Sequence, residues 1–162
     1  MKISDNAKRV FARFVIFGFL GMLFEVVLGG FWRLFADGEP LLRGFSSMWM
    51  IPDYGMLGIL TMPLARPMLR RKFPLVLRAF VYMICIYIIE FISGWIFDQF
   101  GLKVWSNLGL KYQLCGYVAL RYAPCWYFIG LVAEYTYRKV DAVAVLFTRG
   151  LTAEDLLKQT SI

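Results

Sequence analysis

The stretch Phe14–Phe35, FVIFGFLGMLFEVVLGGFWRLF, runs for 22 residues with a single acid, Glu25, and a single base, Arg33. As an α-helix it would be about 33 Å long, the thickness of a bilayer's hydrocarbon core. Lys2, Lys8, Arg9 and Arg13 precede it and imitate a signal peptide. The apolar run outlasts a signal-peptide core, however, and has no small-x-small cleavage site, so the reading is a retained first membrane helix.

Further along the chain, three more stretches meet the length criterion for a span. Phe45–Ala65 contains Pro52, Asp53 and Gly55, which predict a kink or local unwinding, tolerable where neighbouring helices satisfy the freed backbone groups. Leu75–Phe97 carries Arg78 at its start and Glu90 inside; Val118–Tyr137 is interrupted by Arg121 and Pro124. The 162 residues are 60% hydrophobic, with a mean hydropathy of +0.62. A soluble domain is about 45–50% apolar, so this chain calls for a nonpolar solvent. The fold class is all-α, a polytopic membrane protein with about four transmembrane helices. Residues 1–13 form an N-terminal segment and 14–137 the transmembrane domain. Residues 138–162 form a tail with a short amphipathic helix, begun by the capping-box-like pair Thr152 and Asp155.

Basic residues set the orientation. Lys2, Lys8, Arg9 and Arg13 precede the first helix, Arg66, Arg70, Arg71 and Lys72 fill the second connection, and Arg138 and Lys139 follow the fourth helix. Both termini are therefore expected in the cytoplasm, across the inner membrane if the source is bacterial. Residues 101–122, with Trp105, Tyr112 and Tyr117, are expected on the outer side, lying on the surface or dipping in, with Asn107 accessible there. The net charge of +7 sits in clusters that flank apolar runs, which points to membrane lipids and away from nucleic acid. Other expected partners are a second copy of the chain or another membrane protein, because four helices enclose little volume. The absence of histidine removes the usual zinc, haem and imidazole-base sites. Cys85, Cys115 and Cys125 form no C-x-x-C pair; they read as buried, inert thiols, with a Cys115–Cys125 disulfide as the alternative.

A charged carboxylate at mid-bilayer costs about 2.5–3.5 kcal/mol on the mildest scale, and Glu25 lies near the centre of its span. Gly18, Gly21 and Gly29 share its helical face, so Glu25 is expected to point into the bundle along a stripe of close packing. Glu90 repeats the pattern with Gly94. Each acid-x-x-x-Gly is followed by a tryptophan (Trp32, Trp95) and then a proline-bearing helix (Pro52, Pro124), a faint repeat consistent with two parallel hairpins. Counting rise per residue brings Glu25, Asp53 and Glu90 to similar depth in the outer half, with Tyr54 beside them. Glu134 falls near the inner end and is expected to pair with Arg138 one turn on. Three readings of the acids follow: a site for a proton or cation, a set of interhelical locks, or acid/base or metal-assisted chemistry on a lipid. No motif specifies a metal, a cofactor or a catalytic residue. The reading that leads is a transport-type or channel-like component. The alternatives are a lipid-modifying enzyme, towards which the sequence does not lean, and a helper subunit of another membrane protein.

At these residues the chain resembles the ABC-transporter permease family of the CmpB type, whose animal relatives are called transmembrane protein 229. The resemblance spans Phe14–Tyr137. It rests on Glu25, Trp49, Pro52-x-Tyr54-Gly55, Pro74-Leu75 with Arg78, Glu90-x-x-x-Gly94, Trp105, Gly116, Tyr122-Ala123-Pro124, Trp126 and Glu134. It implies a multi-pass helical membrane protein with a transport role. The family usually has Trp-Asp-Tyr-Ser where this chain has Trp105-Ser106-Asn107-Leu108, and an apolar residue where this chain has Asp53. The G-x-x-x-x-G-K-[ST] loop that would hold ATP is absent from this sequence.

Overall fold

The computed structural model of the protein describes residues 4–151 and Asp155. Within them lie four α-helices, α1 (Asp5–Asp37), α2 (Met50–Arg70), α3 (Leu75–Gln99) and α4 (Ala123–Arg149). The α3–α4 connection adds a two-stranded antiparallel hairpin, β1 (Gln113–Leu114) with β2 (Val118–Ala119), and a single 3-10 turn, Leu120–Tyr122. Cys115 and Gly116 turn the hairpin at φ 53° and 75°, the left-handed pair that a tight hairpin turn needs.

Helix boundaries follow local chemistry. The Ser4 hydroxyl accepts from the Ala7 amide at 3.2 Å and starts α1 well before the apolar run, with Asp5 in the first turn. Gly38, at φ 69°, ends it. The second helix starts at Met50, later than expected, because residues 45–49 belong to the connection. Pro52 and Asp53 consequently sit in the first turn of α2, where a missing amide costs nothing, and the expected kink at Pro52 has no basis. Pro63 and Pro67 are the interior prolines. Across the α1–α2 contact the Arg13 guanidinium donates to the Gly58 carbonyl at 3.2 Å. The fourth helix starts at Ala123, with Pro124 in its opening turn, and continues without a break through residues 138–149, which the sequence reading assigns to the tail. The amphipathic helix expected from Thr152 onward lies outside the described residues, Asp155 apart.

The stripe of small residues on α1 packs on α2. A Cβ on Gly21 would stand 2.1 Å from Cγ of Tyr54, and one on Gly18 would stand 2.7 Å from the Ile51 carbonyl oxygen. Across the contact, Gly55 and Gly58 of α2 lie against Phe14 and Arg13. The bundle core is completed by Phe17, Met62, Ala65, Tyr82, Ala133 and Tyr137.

Outside this core the surface is apolar. Only 17% of the hydrophobic window of α1 and 22% of that of α3 is buried, leaving Phe19, Leu23 and Phe31 on α1, and Val76, Ile88 and Ile92 on α3, exposed. In water, a continuous apolar surface on this scale would be an aggregation liability; next to lipid it costs nothing. These two helices are long and apolar enough to cross a membrane; α2 and α4 fall short of the same apolarity.

Away from the connections, two ionic clasps tie the helices. Arg9 and Arg13 of α1 both donate to Asp141 of α4, Arg13 at 2.7 Å, and the Arg13 guanidinium also lies over the Tyr137 ring. Arg78 of α3 forks onto both oxygens of Glu134 of α4 at 3.0 Å, and the Tyr82 hydroxyl donates to the same carboxylate. Glu134 is therefore not paired with Arg138: Arg78 reaches it across the α3–α4 interface in a forked geometry that fits a carboxylate better than a neighbour on the same helix. Cys85, Cys115 and Cys125 are free thiols, so Cys115 and Cys125 are not paired, and none is buried as expected: Cys85 and Cys125 are half-buried and Cys115 is exposed. Asn107 is 7% exposed, its amide donating to the Tyr117 carbonyl at 3.0 Å, so the expected accessibility at that position is also corrected.

Candidate functional site: a cluster of carboxyls at the connection end of the bundle

Glu25, Asp53, Tyr54 and Glu90 come together at the level where the two hairpin connections close. Tyr54 is central. It is 7% exposed, its ring is backed by Gly21, and its hydroxyl is within electrostatic reach of all three carboxyls. Asp53 and Tyr54 are adjacent in the first turn of α2, so their side chains diverge by about 100° around the helix, Tyr54 towards α1 and Asp53 towards α3. Each acid has its own donor. The Ser46 hydroxyl donates to Glu25 at 2.8 Å, the Ser93 hydroxyl to Asp53 at 2.7 Å, and the Trp126 indole N–H to Glu90 at 3.0 Å. The donors come from the α1–α2 connection, α3 and α4, so the cluster draws on every layer of the bundle.

A cavity of about 20 Å³ opens among Asp53, Tyr54, Glu90, Trp126 and the apolar side chains around them. One water needs roughly 10–15 Å³ on this measure, so the space suits a single small occupant. Among the described residues no three acidic or thiol side chains stand as a metal-ligand set. The three carboxyls interact through space while each remains bound to a separate donor.

A family described as "Putative ABC-transporter type IV" matches residues 12–152. The chain belongs to that family. No solved structure matches it. The residues by which the sequence resembled this family fall into two places in the fold. Trp49, Gly94, Trp105 and Trp126 line the connection end: Trp49 and Trp105 each meet the Phe97 ring edge-on at 5.7 Å, Trp105 donates to the Tyr117 carbonyl at 2.8 Å, and Gly94 gives room to the Tyr117 ring. Gly55 leads down α2 under the Phe14 ring, and Glu134 belongs to the clasp with Arg78 at the other end.

The faint repeat also has a spatial counterpart in this family member. Gly29 faces Gly44 of its own connection and Gly94 faces Tyr117 of its own, while the acid one turn earlier reaches the chain that follows. Sequence reasoning missed Ser46, Ser93 and Tyr82. None carries a motif; an Arg78 at the start of an apolar helix, which must find a counter-charge, was the one signal that pointed towards Glu134.

Proposed function

We propose that the protein is a small transport-type component that crosses the membrane four times, with both termini cytoplasmic, and that Glu25, Asp53 and Glu90 around Tyr54 handle a proton. The family supports the transport-type part. The observation that carries the site is the water-sized cavity against which Asp53 and Glu90 are set within electrostatic reach of Glu25 and of each other. Carboxyls that feel one another but are bound to separate donors suit a mobile proton better than a cation that requires several oxygens at once. The same small volume argues against a lipid substrate, which needs a cleft of hundreds of cubic ångströms. Glu25, Asp53, Glu90 and Tyr54 are the residues on which the reading stands; Trp126, Ser93 and Ser46 hold them in place.

The test is proton flux into liposomes containing the purified protein and a pH-sensitive dye, driven by an imposed membrane potential. Wild type is expected to acidify the lumen, and Glu90→Gln, which keeps the indole hydrogen bond but loses the titratable group, is expected to stop it. Equal flux in Glu90→Gln overturns the site. Turnover of lipid in detergent, with no gradient present, would replace the transport reading by an enzymatic one.

A further inference from the structure

Towards the clasp end lies a second, smaller cavity of about 10 Å³, lined by Thr61, Tyr82, Cys85 and Gly130 together with Leu57, Ile86 and Ile89. Leu57, Ile86 and Ile89 line both cavities, so the two are neighbours separated by an apolar constriction. Thr61 is 3% exposed and lines this cavity. A cavity of this size is at the lower limit for one water, and a water there would have the Thr61 hydroxyl beside it. Tyr82 lines the same cavity, is 4% exposed and donates to Glu134. Gly130 makes that position possible, since a Cβ there would stand 2.3 Å from Cβ of Tyr82.

We propose that Thr61 and Tyr82 form a proton path from the carboxyl cluster to Glu134, interrupted at rest by the constriction of Leu57, Ile86 and Ile89. The path rests on the proton-handling reading of the cluster and names where that proton goes. A proton leaves the Glu90 carboxylic acid for a water in the first cavity, and Glu90 becomes a carboxylate. That water passes one of its own protons to the water held by Thr61 when the constriction wets, the way apolar gates open in other pores. Tyr82 accepts a proton on its oxygen as its own moves to Glu134. One proton has left Glu90 and one has arrived at Glu134, whose neutralised carboxyl then loosens its hold on Arg78. The arrangement accounts for the position of Glu134, a second carboxyl at the opposite end of the polar line that begins at Glu90.

The same liposome assay tests the path, with three further variants. Thr61→Val removes the hydroxyl at nearly constant shape and is expected to cut flux roughly tenfold, the worth of one lost relay hydrogen bond. Thr61→Ser keeps the hydroxyl and is expected to conduct like wild type. Leu57→Ala opens the constriction and is expected to raise flux. If Glu90→Gln is inactive but Thr61→Val conducts like wild type, the path is wrong and the cluster stands. If wild type itself conducts nothing, both are wrong. Should Thr61→Val fail to fold, the Leu57→Ala arm decides: flux no higher than wild type overturns the path.

Discussion

Glu90 and Glu134 are both carboxyls inside an apolar bundle, yet they are held in different ways and should respond differently to substitution. Glu134 accepts a forked pair from Arg78, and the two side chains are 15% and 14% exposed. Breaking a buried pair from one side leaves a charge without a partner and costs about 3–5 kcal/mol. Glu134→Ala is therefore expected to lower the thermal midpoint in detergent sharply, whereas Arg78→Met with Glu134→Leu should recover most of the loss. If the double variant melts no higher than Glu134→Ala, the clasp is not what the single variant disrupts. Glu25 and Glu90, in contrast, have neutral donors, Ser46 and Trp126. Glutamine can accept the same bonds, so Glu25→Gln and Glu90→Gln should both remain folded. Because the two acids interact, their effects on flux should not add, and the double variant should be no worse than either single one. Two fully active single variants would leave these acids as interhelical locks.

Between elements, the α1–α2 interface depends on backbone approach. Gly21 and Gly29 lie on the same face of α1, but only Gly21 is enclosed: its Cβ would meet Tyr54 at 2.1 Å, whereas the nearest atom to a Cβ on Gly29 is Gly44 Cα at 3.7 Å. Gly21→Ala must push the root of the Tyr54 side chain away and should cost about 1–3 kcal/mol. Gly29→Ala makes an ordinary contact and gains helix propensity, so it should be neutral or stabilising by up to about 1 kcal/mol. Melting the two variants side by side separates a packed glycine from one that merely shares its stripe. Equal midpoints would contradict the close approach of α2.

For the molecule as a unit, the clasp between α1 and α4 predicts a pH dependence. Asp141 lies beyond the proposed span, and its carboxyl is held below its ordinary range, chiefly by the hydrogen bond from Arg9, helped by Arg13 and opposed by partial burial. A carboxyl depressed by folding stabilises the native state above its unfolded pKa, about 3.9, and that stabilisation is lost as the pH falls through the lower folded value. The thermal midpoint of wild type should accordingly drop as the pH goes below about 4, and Asp141→Asn should start lower at pH 7 and lose less on acidification. Parallel curves for the two proteins would show that the clasp contributes nothing. Membrane orientation is tested in the same protein, freed of its three cysteines. Single cysteines at Lys2, Arg71 and Gln159 should resist an impermeant thiol reagent outside intact cells, and one at Tyr112, which is 82% exposed on the α3–α4 connection, should react. Labelling at Arg71→Cys from outside would invert the proposed topology.

Rise and period along one chain are local quantities, and they suffice to read the helical class, the apolar surface of α1 and α3, the small-residue stripe on α1 and the common depth of Glu25, Asp53 and Glu90. They misplace the start of α2, because Phe45, Met48 and Trp49 join onto the apolar run that follows although the connection packs across α1 at Gly44, where a Cβ would stand 1.7 Å from the Val26 carbonyl oxygen. Which side chains meet is a different kind of question, and it took the packed bundle to answer it: Trp126 with Glu90, Ser93 with Asp53, Arg78 with Glu134, and Arg9 with Asp141 across 132 residues. Such pairings depend on how far each helix is rotated and how closely its neighbours approach. Rotation and approach are set by the packing of all four helices at once, and no local pattern along the chain encodes them.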